Sequence, residues 1–224
     1  LSPCARQELE LQVDVPPSAV AGQQGQTRLR VSPRGSSAAA QEVTLLTTAL
    51  PEWTLARSLP TPRYRLGAAG VGCQVYVVGG LDSANRLVDA FVRYDLSTNA
   101  WTRLPNKPTL VSGVALVAQG GRLYAIGGYN GESRPVDVVE VYDPQTARWS
   151  LETHLPQPLG GVAACAVEGV LYVFGGLGAE RTFDSVWAYD LSARTWQARS
   201  GMPGGPRAFA GAAALDGAIY VVGG

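Results

Sequence analysis

Histidine occurs once in this chain, at position 154, so no multi-histidine metal site and no set of Ser-His-Asp triads can be built from it. Cysteine occurs three times, at 4, 73 and 165, with no C-x-x-C pair. That spacing argues against a zinc site and against a dense disulfide framework. Charge of either sign is scarce and balanced, 18 basic residues against 18 acidic ones, so no strong field draws the chain to nucleic acid or anionic lipid. No uninterrupted apolar run reaches the roughly 18 residues of a membrane helix, and the N-terminus lacks the charged-then-apolar layout of a signal peptide. There is no phosphate-binding Gly-Lys-Ser/Thr segment. The stretch "GGLGAER" at 175–181 imitates a dinucleotide-binding loop but lacks its final glycine and a following helix. No metal or cofactor is expected.

Glycine and proline, by contrast, are abundant, at 27 and 15 of 224 residues, and 46% of the chain is hydrophobic against 16% charged. This is a folded chain with many tight turns, as in an all-β protein. Glycine pairs fall at 79–80, 127–128, 175–176 and 223–224, 48 residues apart each time, closing "VYVVGG", "LYAIGG", "LYVFGG" and "IYVVGG". Tyr-Asp pairs follow at 94–95, 142–143 and 189–190, and tryptophans stand at 53, 101, 149 and 196. One residue missing after Gly176 is the only break in register. Each unit reads as four short strands. The first is small and apolar, a two-residue turn ending mostly in Gly leads to the second, the third carries Tyr-Asp, and Trp opens the fourth. Four-stranded sheets this short bury their faces only by stacking on neighbours, and radial stacking gives a β-propeller.

The glycine pair after the second strand, the tyrosine of the third and the tryptophan opening the fourth closely resemble the Kelch repeat over roughly residues 58–224. The fold expected is therefore a Kelch-type β-propeller of four-stranded antiparallel blades, with repeats at about 63–110, 111–158 and 159–205 and a partial one at 206–224. Kelch propellers usually have six or seven blades, more than this chain can supply. Either it is part of a longer protein, or residues 43–57 complete the last blade and close a four-bladed ring. Leu46 and Thr47 fall where the other units have Tyr and Asp, which favours the first option. The propeller region is set at 43–224. Residues 1–42 are expected to be a leader or part of an immunoglobulin-like segment, since "GQTRLRVSPRGSSAAAQEVTLLTTALPEW" resembles part of a bacterial surface domain of that kind. An extracytoplasmic or cell-surface location is favoured.

The recurring Gly, Tyr and Trp belong to the scaffold, and Asp95, Asp143 and Asp190 are expected to accept backbone N–H bonds in turns. The loops after the glycine pairs are the candidates for function: "LDSANRLVD", "YNGESRPVD" and "LGAERTFD". Each holds an Arg three residues before an Asp. Arg86, Arg134 and Arg181 would together suit a carboxylate, unless each pairs with its own blade's Asp89, Asp137 or Asp184 or caps carbonyls. On the connections into the first strands, Tyr64 and Arg65 have no counterpart in other blades, and Phe209 is a further stacking candidate. Arg63 and Arg207 stand in "PR" pairs, common in Kelch repeats, and are read as structural. Glu132 and Glu180 are the only loop carboxylates placed for general acid or base work.

Most Kelch propellers mediate interactions, so the resemblance implies a protein- or glycan-binding module. The alternative it allows is a sugar-processing enzyme resembling the bacterial sialic acid mutarotase (N-acetylneuraminate epimerase), with arginines on the carboxylate and a glutamate moving a proton. An open propeller exposes sheet faces and edges, which invites self-association.

Overall fold

The structure is a computed structural model that describes residues 24–31, 41–48 and 55–224. Residues 1–56 and 57–224 form two compact units. In the first, β1 (Gln24–Val31) and β2 (Gln41–Thr48) pair antiparallel, from Gln24 opposite Thr48 to Val31 opposite Gln41. The rest of the expected leader or immunoglobulin-like segment lies outside the described residues, as do Cys4 and Trp53.

The second unit carries three complete four-stranded antiparallel blades and the inner half of a fourth. The first blade is β3 (Gly67–Val71), β4 (Gln74–Val78), β5 (Phe91–Asp95) and β6 (Ala100–Leu104). The second is β7 (Ala115–Gln119), β8 (Arg122–Ile126), β9 (Val138–Asp143) and β10 (Arg148–His154). The third is β11 (Ala163–Val167), β12 (Val170–Phe174), β13 (Val186–Asp190) and β14 (Thr195–Arg199), and the half-blade is β15 (Gly211–Leu215) with β16 (Ala218–Val222). The strands are those the 48-residue period predicts. Among the described residues β1 and β2 form one two-stranded sheet and β15 and β16 another; the stretch 43–57 of the expected four-bladed alternative lies only partly within the described residues.

The strand sequences follow from where each lies. The first strands β3, β7, β11 and β15 succeed one another around the centre, where space is short. A Cβ at Gly67 would sit 2.9 Å from the carbonyl oxygen of Val114. The second strand lies between first and third and is buried most deeply; Leu123, Tyr124, Ala125 and Ile126 of β8 are at most 5% exposed. The tight turns between first and second strands take left-handed residues, as at Gly120 and Gly121 (φ 58° and 75°) and at Asp216 and Gly217 (φ 49° and 75°).

Tyr and Trp of the third and fourth strands are cross-strand partners in every complete blade: Tyr94 opposite Trp101, Tyr142 opposite Trp149, Tyr189 opposite Trp196. Their ring centroids lie 5.0, 5.2 and 4.8 Å apart. Tyr142, 1% exposed, fills the gap toward the preceding blade, meeting Phe91 edge-on at 4.8 Å and Tyr76 at 6.4 Å. Burying a side chain of this size contributes about 1.5–3 kcal/mol. Two of these tryptophans also tether their blades to the connection before them. Trp101 Nε1 donates to the Arg57 carbonyl and Trp149 Nε1 to that of Pro105, 48 residues on. Trp196 Nε1 has no hydrogen-bond partner among the described residues, and the missing acceptor coincides with the register shift of β10 between Leu151 and Thr153. Asp95, Asp143 and Asp190 close the turns as expected, accepting from the backbone N–H groups of Ser97, Gln145 and Ser192. The hydroxyl of Ser97 and the backbone N–H of Thr98, helped by Gln74 and the Ser97 N–H, hold the pKa of the Asp95 carboxyl down at about 2.

Candidate functional site

The glycine pair ends each second strand and turns the chain onto the next blade. At Gly79, Gly127 and Gly175, φ is 65°, 59° and 59°, and a Cβ would sit 2.3–2.4 Å from the carbonyl oxygens of Val111, Leu159 and Arg207. Those same carbonyls accept from the N–H groups of Gly80, Gly128 and Gly176. Any side chain at the first glycine would therefore push the neighbouring blade away. Beyond the pair, the loop is drawn against the connection into its own blade, through the antiparallel bridges Tyr64–Leu81, Ser112–Tyr129 and Gly160–Leu177. The post-glycine loops and the connections thus share one face of the unit.

On this face one backbone position circles the centre, at residues 65, 113, 161 and 209. All four are left-handed: Arg65 at φ 54°, Gly113 at 63°, Gly161 at 60° and Phe209 at 60°. Each accepts from or donates to the next. The N–H of Gly113 bonds the Arg65 carbonyl at 2.7 Å, that of Gly161 bonds Gly113 at 2.8 Å, and that of Phe209 bonds Gly161 at 2.7 Å. Two of the four places hold glycine, at home in this geometry; the other two hold a large side chain that costs about 1–3 kcal/mol of backbone strain.

Those two side chains meet. The Arg65 guanidinium carbon stands 5.0 Å above the centre of the Phe209 ring, a cation–π contact. The Phe209 ring in turn lies over Gly161, where a Cβ would come within 2.9 Å of it, and is stacked on Tyr129 with centroids 6.5 Å apart. Tyr129 occupies the space that a side chain at Gly160 would take, and its hydroxyl donates to the Leu177 carbonyl at 3.1 Å. Burial raises the Tyr129 phenol above its ordinary value, against the opposing pull of Arg65.

These groups line a cavity of about 620 Å³ shared by all four repeats. Tyr64, Arg65, Asn85 and Arg86 come from the first, Tyr129 and Asn130 from the second, Leu177 from the third and Phe209 from the half-blade. None of its lining residues carries a carboxylate or an imidazole. Tyr64 and Phe209 are 45% and 48% exposed, and the Tyr64 hydroxyl bonds Asn85 Oδ1.

Of the residues singled out in the sequence, Tyr64, Arg65 and Arg86 come together at this cavity, while Arg134, Arg181, Glu132 and Glu180 are not on its wall. The three loop arginines end differently. Arg86 turns back onto Asp82 at 2.8 Å, Arg134 pairs with Glu132 at 3.2 Å, and Arg181 lies 4.6 Å over the Phe183 ring. Their aspartates point to other partners, Asp89 to Arg103 at 3.3 Å and Asp137 to His154 at 3.2 Å. The recurring Arg position instead closes the loop through its backbone: Arg86 N–H donates to Asp82 Oδ1 and Arg134 N–H to Asn130 Oδ1. Arg63 bonds the Thr61, Gly79 and Ala90 carbonyls, a structural role. Tyr129, Asn85 and Asn130 carried no sequence signal of their own beyond lying in loops of matching length.

No three His, Cys, Asp or Glu side chains gather into a metal-binding group among the described residues. Cys73 is disulfide-bonded, and Cys165 is a free buried thiol whose pKa is pushed up by that burial. No helix of the described residues is long and apolar enough to cross a membrane.

Radial blades with a glycine hinge, a Tyr–Trp pair in the outer strands and a series of backbone bonds running from blade to blade on one face define a β-propeller of the Kelch type. The family model for the Attractin/LZTR1 beta-propeller matches residues 37–224, and the chain belongs to that family. Among solved structures, one titled "Structure of YjhT" is similar with a TM-score of 0.64 and 17% sequence identity, over 80% of this chain and 61% of that one. The chain thus spans about three-fifths of that protein's length, and at this identity the likeness is one of fold.

Proposed function

We propose that this propeller is an interaction module that holds a protein or glycan partner in the loop-face cavity. One observation carries the reading: the cavity wall sets half-exposed Tyr64 and Phe209 beside the guanidiniums of Arg65 and Arg86, with no acid or imidazole among its lining residues. Aromatic and arginine side chains are the groups that most often dominate binding energy at recognition sites. The disulfide at Cys73 agrees with an oxidising, extracytoplasmic setting.

The alternative, a sugar-processing enzyme resembling the sialic acid mutarotase, calls for a proton-transferring carboxylate at the ligand. Glu132 is 68% exposed and ion-paired with Arg134, and Glu180 is exposed on its own loop. Both stand off the cavity, which weighs toward binding without chemistry.

The test is a binding screen of the intact chain against arrays of peptides and glycans, repeated with Tyr64→Ala/Phe209→Ala. The double variant is expected to lose about tenfold or more in affinity for whatever the wild type binds. A ligand held equally by both proteins would place recognition elsewhere. Acceleration of sialic acid anomer exchange, followed by NMR, would instead favour the enzyme.

A further inference from the structure

Asparagine occurs at 85, 99, 106 and 130, and Asn130 alone is followed by glycine. It opens the post-glycine loop of the second blade, on the wall of the loop-face cavity. Its side-chain carbonyl closes that loop: Asn130 Oδ1 accepts from the N–H groups of Glu132 and Arg134, both at 3.0 Å. The N–H of Gly131, next in the chain, has no hydrogen bond among the described residues.

An electrophile, a nucleophile and a pair of charge-stabilising donors thus share one turn. Two N–H groups on a carbonyl oxygen polarise its carbon and steady the negative charge that attack there puts on the oxygen. The Gly131 nitrogen is the atom that can close a five-membered ring on Asn130 Cγ, and glycine leaves the backbone free to swing toward it. Gly131 is exposed, so water reaches the ring once it forms. We infer that Asn130 is a site of spontaneous deamidation, through which the cavity wall acquires a carboxylate. In the first step the Gly131 nitrogen gives its proton to water or hydroxide and bonds to Cγ, and the Cγ–Nδ2 bond breaks as ammonia leaves. In the second, water adds to one carbonyl of the succinimide ring and the ring C–N bond breaks. Opening at Cγ restores the main chain and yields aspartate, whereas opening at the other carbonyl yields isoaspartate. One water is consumed and one ammonia released.

The first blade shows what the aspartate does in this place. Asp82 stands 48 residues earlier, followed by Ser83 instead of glycine. Its Oδ1 accepts from the same two backbone positions, the N–H groups of Ala84 and Arg86, at 2.9 Å each. Its other oxygen takes the arginine side chain, with Arg86 Nε donating to Asp82 Oδ2 at 2.9 Å. Arg134 is the equivalent arginine of the second blade and lies on Glu132, within the same short loop. The loop is therefore already built for an acid, and conversion exchanges a neutral amide for a charge without a new backbone path. This chemistry does not depend on what the cavity binds.

The experiment incubates the intact chain at neutral and mildly alkaline pH and follows its tryptic peptide 123–148 by mass spectrometry, with the same peptide free in solution as reference. Asn130 is expected to convert at least as fast in the folded chain as in the free peptide, and faster as pH rises, while Asn85, Asn99 and Asn106 stay intact. Gly131→Ala, whose Cβ would meet only Leu87 Cδ1 at 3.8 Å, should fold like the wild type and convert about tenfold more slowly. Asn130→Asp should melt no lower than the wild type, because Asp82 holds the same turn. Slower conversion in the folded chain than in the free peptide would overturn the part given to the two N–H donors. Undiminished conversion in Gly131→Ala, or an Asn130 that stays as intact as the other three asparagines, would overturn the site. A clear loss of melting temperature in Asn130→Asp would overturn the fit of the acid to this loop.

Discussion

Lys107 and Glu140 are each 4% exposed, an unusual place for two charges, and their ion pair ties the connection between β6 and β7 to β9. Thr109 secures both ends: its hydroxyl donates to Glu140 Oε1 at 3.0 Å, and its carbonyl accepts from Lys107 Nζ at 2.7 Å. Burial pulls the Lys107 ammonium below its ordinary pKa while Glu140 pulls the other way. Such a pair adds little over a well-packed apolar one, but a single survivor is left charged in a dry site. Glu140→Ala is accordingly expected to cost about 3–5 kcal/mol in urea unfolding, whereas Lys107→Met/Glu140→Leu together should cost far less. Equal losses for the two proteins would show that the pair itself, rather than its matching, holds the connection.

At the level of the strand and its loop, the first glycine of each pair does one thing in three blades and cannot do it in the fourth. Gly127 faces the Leu159 carbonyl, but Gly223 has nothing within 4 Å of where a Cβ would stand. Gly127→Ala should cost about 2–5 kcal/mol, from clash and left-handed backbone combined, while Gly223→Ala should cost only the backbone part, about 1 kcal/mol. Denaturant midpoints of the two variants check this. The contrast also explains what could be read in advance. Glycines, Tyr–Trp pairs and turn aspartates recur as residue types, because every blade imposes the same steric demand, so a period of 48 exposed them. Arg65, Gly113, Gly161 and Phe209 answer the same backbone demand with three different residue types, and the position is silent in a search for repeats. The loop arginines mislead in the opposite sense. They recur, yet what is shared is a backbone closure, and the side chains of Arg86, Arg134 and Arg181 go to an aspartate, a glutamate and an aromatic ring.

Taken whole, the propeller unit buries its cores between blades, with Tyr142 and Tyr189 in successive gaps and Met202 and Phe174 against the half-blade. The half-blade has no outer strands among the described residues, and Leu215, Tyr220 and Val222 are 61%, 55% and 72% exposed. An apolar sheet face beside an unpaired strand edge is a template for other chains. The 224-residue chain is expected to self-associate in a concentration-dependent way, and Tyr220→Lys/Val222→Lys to shift it toward monomer in sedimentation velocity. A wild type that stays monomeric at high concentration would mean that something already covers this edge.

The series of bonds through residues 65, 113, 161 and 209 is made by main-chain atoms alone. It asks of its occupants a left-handed turn and nothing of their chemistry. Each place is therefore a socket: glycine leaves it blank, and arginine or phenylalanine plugs a charge or a flat ring into the mouth of the cavity. A propeller wired in this way can change the charge and shape of its cavity mouth by exchanging plugs, while the frame that carries them stays the same.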